Sequence, residues 1–222
     1  MDALELMKAR HSVRSYNDRQ IDKEILSILK SVIDNCNNES GLNIQLCLNE
    51  PKAFNSLRGR LGKFRNASNY IALAGENSKN MEEKVGYYGQ KFVLKATELG
   101  LGTCWVGNSY SKRKCGYKPK NGEKLYCVIT FGYYDKGGVP HKTKSIEELS
   151  QVNGFIPDWF IKGMEAVQLA PTALNQQKFE ISLKGNTVIV KPGFGVSTKI
   201  NLGIVKYHFE LGAGNSNWTW GE

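Results

Sequence analysis

The chain has 222 residues and a mass of 24.8 kDa, with 41% hydrophobic and 23% charged residues; this composition excludes a disordered, fibrous or coiled-coil protein and fits one large globular domain or two small ones. No stretch approaches the roughly 20 apolar residues of a membrane span, and charges at Asp2, Glu5, Lys8 and Arg10 leave no apolar leader core, so a cytoplasmic protein with no membrane partner is expected. A net charge of +9 suits attraction for phosphorylated or acidic small molecules.

In chain order, residues 3–10 read as a short amphipathic helix with Leu4 and Met7 on one face. Asp22 caps a second helix to about residue 34, followed by a loop over 35–41. Strict alternation over 42–48 predicts a half-buried strand. Glu50-Pro51 opens a short helix to 57, and 58–68 is a basic connection. Residues 70–75 form a buried strand, and 82–99 a long helix stopped by Gly100. The densest basic run, Lys112-Arg113-Lys114 with Lys118, Lys120 and Lys124, reads as a solvated loop. It lacks the stacking aromatics of an RNA-binding sheet, so no nucleic-acid partner is expected. Residues 125–131 are an aromatic, β-branched strand. Residues 135–144, with Gly137-Gly138, Pro140 and three lysines, are the best linker candidate. A helix near 145–149, a helix from Pro157 to about 169, a hairpin of 179–183 and 187–191 turning at Gly185-Asn186, and a helix over 200–211 complete the chain. The tail 215–222 carries Trp218 and Trp220.

The two parts read as one unit used twice. A helix followed by a strand occurs in both, Leu42 and Ile44 have counterparts at the same offset in Phe179 and Ile181, and Val85-Gly86 is echoed by Leu202-Gly203. An internal pseudo-repeat with a ligand cleft between its halves follows. The expectation is a single domain over 1–222 with unequal halves, about 1–140 and 145–222.

Five cysteines without a CxxC pair argue against a disulfide framework and a zinc site, and each reads as a small buried hydrophobe. His11, His141 and His208 have no metal-ligand spacing, and His208 reads as a structural histidine on the last helix. Gly100-Leu-Gly102 lacks the third glycine of a dinucleotide fingerprint and follows a helix, so no resident dinucleotide-binding unit is read there.

Three stretches carry polar chemistry. In Arg10-His11-Ser12-Val13-Arg14, two guanidiniums four residues apart with a hydroxyl and an imidazole suit a phosphate, or form a solvated basic turn. In Leu99-Gly-Leu-Gly-Thr-Cys-Trp-Val-Gly107, a helix stops and an extended run of small residues lets backbone approach a flat ligand, or is an ordinary connection. In Leu169-Ala-Pro-Thr-Ala-Leu-Asn-Gln-Gln177, Thr172, Asn175 and Gln177 offer groups that read a heterocycle edge, or form a capped helix end.

Together, Arg-His-Ser-x-Arg, Gly-Leu-Gly-Thr-Cys-Trp and Ala-Pro-Thr-Ala-x-Asn-x-Gln resemble the FMN-dependent nitroreductase family over nearly the whole chain. In the usual members the third motif follows the first long helix. Here that place holds Asp34-Asn-Cys-Asn-Asn-Glu-Ser40, and the motif lies in the second half. This looks like the single-chain branch in which two halves mimic a dimer of ordinary subunits.

The resemblance implies an α+β nitroreductase-like fold with a central mixed or antiparallel sheet flanked by helices. It implies that Arg10, Ser12 and Arg14 hold the phosphate, ribityl or pyrimidine end of FMN, with His11 contributing by its backbone. Trp105, Val106, Gly107 and Asn108 would pass along the isoalloxazine, and Pro171, Thr172, Ala173 and Asn175 would close the site from the other half. Lys142 and Lys144 resemble a basic pair at the phosphate. The usual Pro-Trp after the Gln is absent, since Lys178 and Phe179 follow Gln177. The implied activity is an NAD(P)H oxidoreductase working by ping-pong hydride transfer through flavin N5 to a nitroaromatic, quinone or similar small-molecule acceptor, with no catalytic acid–base residue and no metal. The alternatives are a flavin-binding or sensory protein without turnover, or a flavin enzyme of different chemistry. The chain is expected to be a monomer or homodimer with one FMN per chain.

Overall fold

The computed structural model describes residues 2–152, 154–214 and 218–221, and among them seven α-helices and eight strands form an α+β fold. Helix α1 (Ala3–Ala9) is capped by Asp2, whose carboxylate accepts from the Glu5 N–H at 2.8 Å. Helix α2 (Lys23–Ser40) runs six residues beyond its expected end. The polar run from 35 to 40 has weak helix propensity, but its surroundings hold it. Cys36 is buried, the Ser40 hydroxyl donates back to the Cys36 carbonyl, and the Asn37 amide brackets the backbone of Ile44. The expected loop shrinks to a left-handed cap at Gly41.

Strand β1 (Asn43–Cys47) leads to a 3₁₀ turn (Pro51–Ala53) and then to α3 (Leu57–Leu61). The helix expected over 50–57 is therefore displaced. Pro51 starts only a tight turn, and the Ser56 hydroxyl, accepting from the Gly59 N–H at 3.1 Å, starts a second helix inside the basic connection. Strands β2 (Tyr70–Glu76), β3 (Gly102–Val106) and β4 (Glu123–Gly132) and helix α4 (Met81–Glu98) lie close to expectation. So do α5 (Ile146–Leu149), opened by a Ser145–Glu148 capping box, α6 (Asp158–Gln168), the hairpin β6 (Phe179–Lys184) and β7 (Thr187–Pro192), and α7 (Thr198–Ala213). Two short strands have no sequence signal, β5 (Ser150–Val152) and β8 (Thr219–Trp220). The tail residues 215–217 and 222 lie outside the described residues.

The expected central sheet is instead two four-stranded sheets. The first, ordered β1-β2-β4-β3, is antiparallel throughout. The second, ordered β5-β6-β7-β8, has an antiparallel centre and parallel outer pairs. Each sheet has its own core. Leu29, Leu73, Phe92 and Ile129 belong to one, Phe160, Ile181, Val205 and Phe209 to the other, and Trp105 and Ile200 pack against both. Helices α4 and α7 join the two. A Cβ on Gly86 would stand 1.9 Å from the Ile200 oxygen, and one on Gly203 would stand 1.9 Å from the Glu83 oxygen. The helix backbones therefore touch, which only glycine permits. These are the positions the pseudo-repeat equates. The two halves differ in order, since α3 stands between β1 and β2 in α2-β1-α3-β2-α4 whereas no α-helix separates the strands of α6-β6-β7-α7, and strand order and pairing also differ between the sheets. Among the described residues, no helix is long and apolar enough to cross a membrane.

Candidate functional site

Helix α1 ends at Arg10, whose N–H still bonds the Leu6 oxygen at 3.0 Å although its backbone is extended. The chain then runs beside β3. Ser12 bridges Thr103 in parallel, and the Val13 N–H donates to the Thr103 oxygen at 2.9 Å. Val13 is buried and Arg14 is exposed. Arg10 is 5% exposed, and its Nε is buried without a hydrogen-bond partner. Burial lowers its pKa to about 10, against a small opposing effect of Cys104. His11, half-buried, is lowered by burial and then by Arg10 and His141. An unpaired buried cation is unfavourable by itself, so a ligand acceptor at this guanidinium would relieve it.

The segment 135–144 is not a free linker. A Cβ on Gly138 would stand 2.7 Å from the Ser12 oxygen and 2.8 Å from His11 Cβ, so this strap lies directly on the 10–14 segment. Its far end is tied to the second half by side-chain amides. Gln177 Nε2 donates to the Lys142 oxygen at 3.0 Å, and Gln177 Oε1 accepts from the Lys144 N–H at 2.9 Å. Asn175 Nδ2 donates to the same Lys142 oxygen at 2.8 Å, and Gln168 Nε2 donates to the Lys144 oxygen at 2.7 Å. The polarity that marked the segment as a linker reflects backbone groups paired with side chains rather than with a sheet.

The loop after α6 is strained. Leu174, Asn175 and Gln177 have φ of 53°, 53° and 48°, a conformation that for Leu is an outlier needing support. Support comes from Thr172, whose hydroxyl accepts from the Gln177 N–H at 3.1 Å, and from Asn201, whose Oδ1 accepts from the Ala173 N–H at 3.1 Å.

A groove of about 230 Å³ lies where strap and helix meet, lined by Met7, Lys8, Arg10, His11, Pro140, His141, Thr143, Gln168 and Leu169. No carboxylate lines it. It is smaller than the roughly 300 Å³ lower end for whole-ligand pockets, so it suits one end of a larger molecule.

On β3 the expected residues diverge. Val106 is buried in the core on the far face of its sheet. The Trp105 ring packs on α4, where a Cβ at Gly89 would stand 2.4 Å from it. Its Nε1–H donates to Gln90 Oε1 at 3.0 Å, Gln90 Nε2 lies 2.9 Å from His208 Nε2, and His208 Nδ1 lies 2.9 Å from the Ala166 oxygen. A carbonyl only accepts, so Nδ1 carries the His208 proton and Nε2 accepts from Gln90. Every member is satisfied, and burial lowers the His208 pKa to about 3. Gly107 and Asn108 are exposed, with nothing within 4 Å of where a Cβ on Gly107 would stand.

The structure thus links the 10–14 segment, the strap with Lys142 and Lys144, and the loop with Pro171, Thr172, Ala173 and Asn175 into one continuous surface. It places Arg10 and His11 in the groove and turns the side chains of Trp105 and Val106 away. Asn175 spends one amide donor on the strap, and Lys144 Nζ lies 3.5 Å from the Gln177 oxygen. Gln90 and Gln168 are the residues that sequence reasoning missed; the signal for Gln90 is a buried amide on an apolar helix face. Gln177, expected to read a heterocycle edge, spends its amide on the strap instead.

Residues 2–213 match the family model described as "Putative TM nitroreductase". No curated protein matches the chain. Among solved structures, a "putative nitroreductase" from Thermotoga maritima is 22% identical with a TM-score of 0.68, and the match covers 95% of this chain and 83% of that one. A "Nitroreductase Family Protein" from Streptococcus pneumoniae is 16% identical with a TM-score of 0.51, covering 65% of this chain and 96% of that one. A "Putative NADH dehydrogenase/NAD(P)H nitroreductase" from Bacteroides thetaiotaomicron is 19% identical with a TM-score of 0.51, covering 66% and 95%. The structural likenesses are of fold; the family match spans nearly the entire sequence, and by it the chain belongs to the nitroreductase family.

Proposed function

We propose that this chain is a nitroreductase-type oxidoreductase that holds FMN between the 10–14 segment and the 171–177 loop and uses NAD(P)H to reduce an electron-poor small molecule. The observation that carries the reading is the Arg10 guanidinium, buried with an unpartnered Nε in a groove whose other polar lining includes Lys8, His11 and His141 and no acid. Such a group recognises a phosphate or a carbonyl edge through charge-assisted hydrogen bonds. Bound FMN would supply the redox chemistry, accepting a hydride from NAD(P)H and delivering electrons to a nitroaromatic, quinone or similar acceptor.

The protein's own part is binding and orientation. Arg10, Ser12 and Arg14 line one edge, with the His11 backbone between them. The exposed backbone at Gly107 and Asn108 leaves room for a flat ring. Pro171, Thr172, Ala173 and Asn175 form the opposite wall on a loop that the strap keeps in place. Lys142, exposed on that strap, and Lys144 add positive charge near an anionic end.

The test is the visible spectrum of the protein saturated with flavin, before and after NAD(P)H, followed by heat release and mass analysis of the ligand. FMN recovery and bleaching by NAD(P)H are expected. Recovery of FAD, or of no flavin, refutes the cofactor reading. Bleaching without NAD(P)H consumption when a quinone is added favours a flavin-binding protein that does not turn over.

A further inference from the structure

We propose that Cys115 and Cys47 form a thiol–disulfide exchange site, in which Cys115 reacts with a low-molecular-weight disulfide and Cys47 resolves the product into an intramolecular disulfide. The site is independent of any flavin.

Cys47 is the last residue of β1 and pairs in register with Tyr70, the first residue of β2. Directly paired residues project from the same face of a sheet. Both belong to the core cluster on that face, and Cys115 packs against the same cluster. The Tyr70 hydroxyl accepts from the Gly116 N–H at 2.7 Å, which fixes the backbone next to Cys115 at the tip of the Tyr70 ring. The phenolic proton is then free to point at the Cys115 sulfur, where the Cys47 thiol and the Tyr117 N–H also converge.

The five cysteines are not alike. Cys36, Cys47, Cys104 and Cys127 are buried, and Cys115 is half-buried. Burial pushes the thiols of Cys36, Cys104 and Cys127 up. The Cys115 thiol is pulled down, first by its hydrogen bond from Cys47, and Cys47 is pushed up in turn. Glu50 is the acid that opposes this, and Tyr70, Tyr110 and Tyr117 are the other titratable groups facing the pair. A reactive thiol needs thiolate character and access together; the hydrogen bonds to the Cys115 sulfur favour its thiolate, and Cys115 is half-buried where the other four cysteines are buried.

The Cys115 thiolate attacks one sulfur of the small disulfide. A protein–ligand S–S bond forms, and the other half leaves as a thiolate that takes a proton from water. The Cys47 thiol gives its proton to solvent and attacks the Cys115 sulfur, the mixed S–S bond breaks, and the second half leaves as a thiolate that takes a proton from solvent. The two cysteines lose two electrons, and one small disulfide becomes two thiols.

The full-length protein is incubated with glutathione disulfide at neutral pH, blocked with N-ethylmaleimide, digested without reductant and analysed by mass spectrometry. The expected product is one cross-linked peptide pair, Cys47 with Cys115, lacking two hydrogens. Cys47→Ser should stop at a glutathione adduct on Cys115, and Cys115→Ser should leave Cys47 at least tenfold less reactive. Alkylation of Cys115 by iodoacetamide should be half-maximal below the ordinary thiol value of about 8.5. A glutathione adduct that persists on Cys115 without a cross-link, or a Cys115 that reacts no faster than Cys36, Cys104 and Cys127, overturns the proposal. The first readout uses the wild-type chain, so a variant that fails to fold leaves it intact.

Discussion

Arg10 and His208 are both buried, and each is handled by a different physical device. His208 stays neutral, with both ring nitrogens hydrogen-bonded between Gln90 and Ala166. Its folded pKa of about 3 lies below the ordinary 6.5. The unfolded chain therefore binds a proton that the folded one refuses, and stability falls as pH drops from 6.5 towards 3, by on the order of 1.4 kcal/mol per pH unit. Urea unfolding across that window should show this slope, and His208→Gln, which can still donate and accept, should lose it. Equal slopes for the two proteins would remove His208 as the cause. Arg10 keeps its charge without a protein partner, so its removal has opposite effects on the two states of the site. Arg10→Ala should leave the flavin-free protein as stable as wild type or more so. FMN affinity should fall at least tenfold, because a hydrogen bond to a charged group contributes roughly 1.5–3 kcal/mol and about 1.4 kcal/mol is a factor of ten. Arg14→Ala should weaken binding less, since solvent screens its exposed charge. Unchanged affinity in a flavin titration of both variants would detach this segment from the cofactor.

At the scale of elements, the contact between α4 and α7 sets the geometry of the molecule. A side chain at position 203 would enter the backbone of α4, 1.9 Å from the Glu83 oxygen and 2.5 Å from the Tyr87 nitrogen. Gly203→Ala gains up to about 1 kcal/mol in helix propensity, but the helices must separate. A net loss of about 1–3 kcal/mol is expected from overpacking, equal to roughly 2–4 °C in Tm for each kcal/mol at this size. Gly107→Ala, which adds its methyl to open space, is the control and should melt within a degree or so of wild type. Equal melting of the two variants would mean that the helices slide apart without penalty. The Trp105–Gln90–His208 chain crosses the same interface, so separation of the helices should also red-shift Trp105 emission.

For the whole molecule, the strap joins two halves that each hold part of the candidate site. The Arg-His-Ser-x-Arg segment occurs only in the first half and the Ala-Pro-Thr-Ala-x-Asn loop only in the second. Gln177, Asn175 and Gln168 bind the strap within one chain. We therefore expect one FMN per chain and binding that does not require a dimer. Mixing an Arg10→Ala, Arg14→Ala chain with a Thr172→Ala, Asn175→Ala chain tests this. Flavin binding should stay absent, and its restoration in the mixture would mean that sites are shared between chains.

The sequence alone determined the elements whose residues carry their own period or punctuation. Helices α4, α6 and α7 and the β6–β7 hairpin are legible because apolar spacing, Pro157 and Gly185 act within a few residues of themselves. The three polar motifs were legible for the same reason, and they identify the family. Tertiary structure decided what depends on distant partners. Residues 35–40 become helix because Cys36 finds a core and Asn37 finds β1. The expected linker becomes a strap because Gln177 satisfies both its Lys142 carbonyl and its Lys144 N–H. The central sheet becomes two because α4 and α7 meet backbone to backbone between separate cores. Trp105 turns towards α4 because a buried glutamine accepts its N–H, and Arg10 is left with an unpartnered Nε because the fold brings no acceptor within hydrogen-bond reach of it. A hydrogen bond or a void between residues of different elements leaves no periodic trace in the chain, and only the folded arrangement sets it.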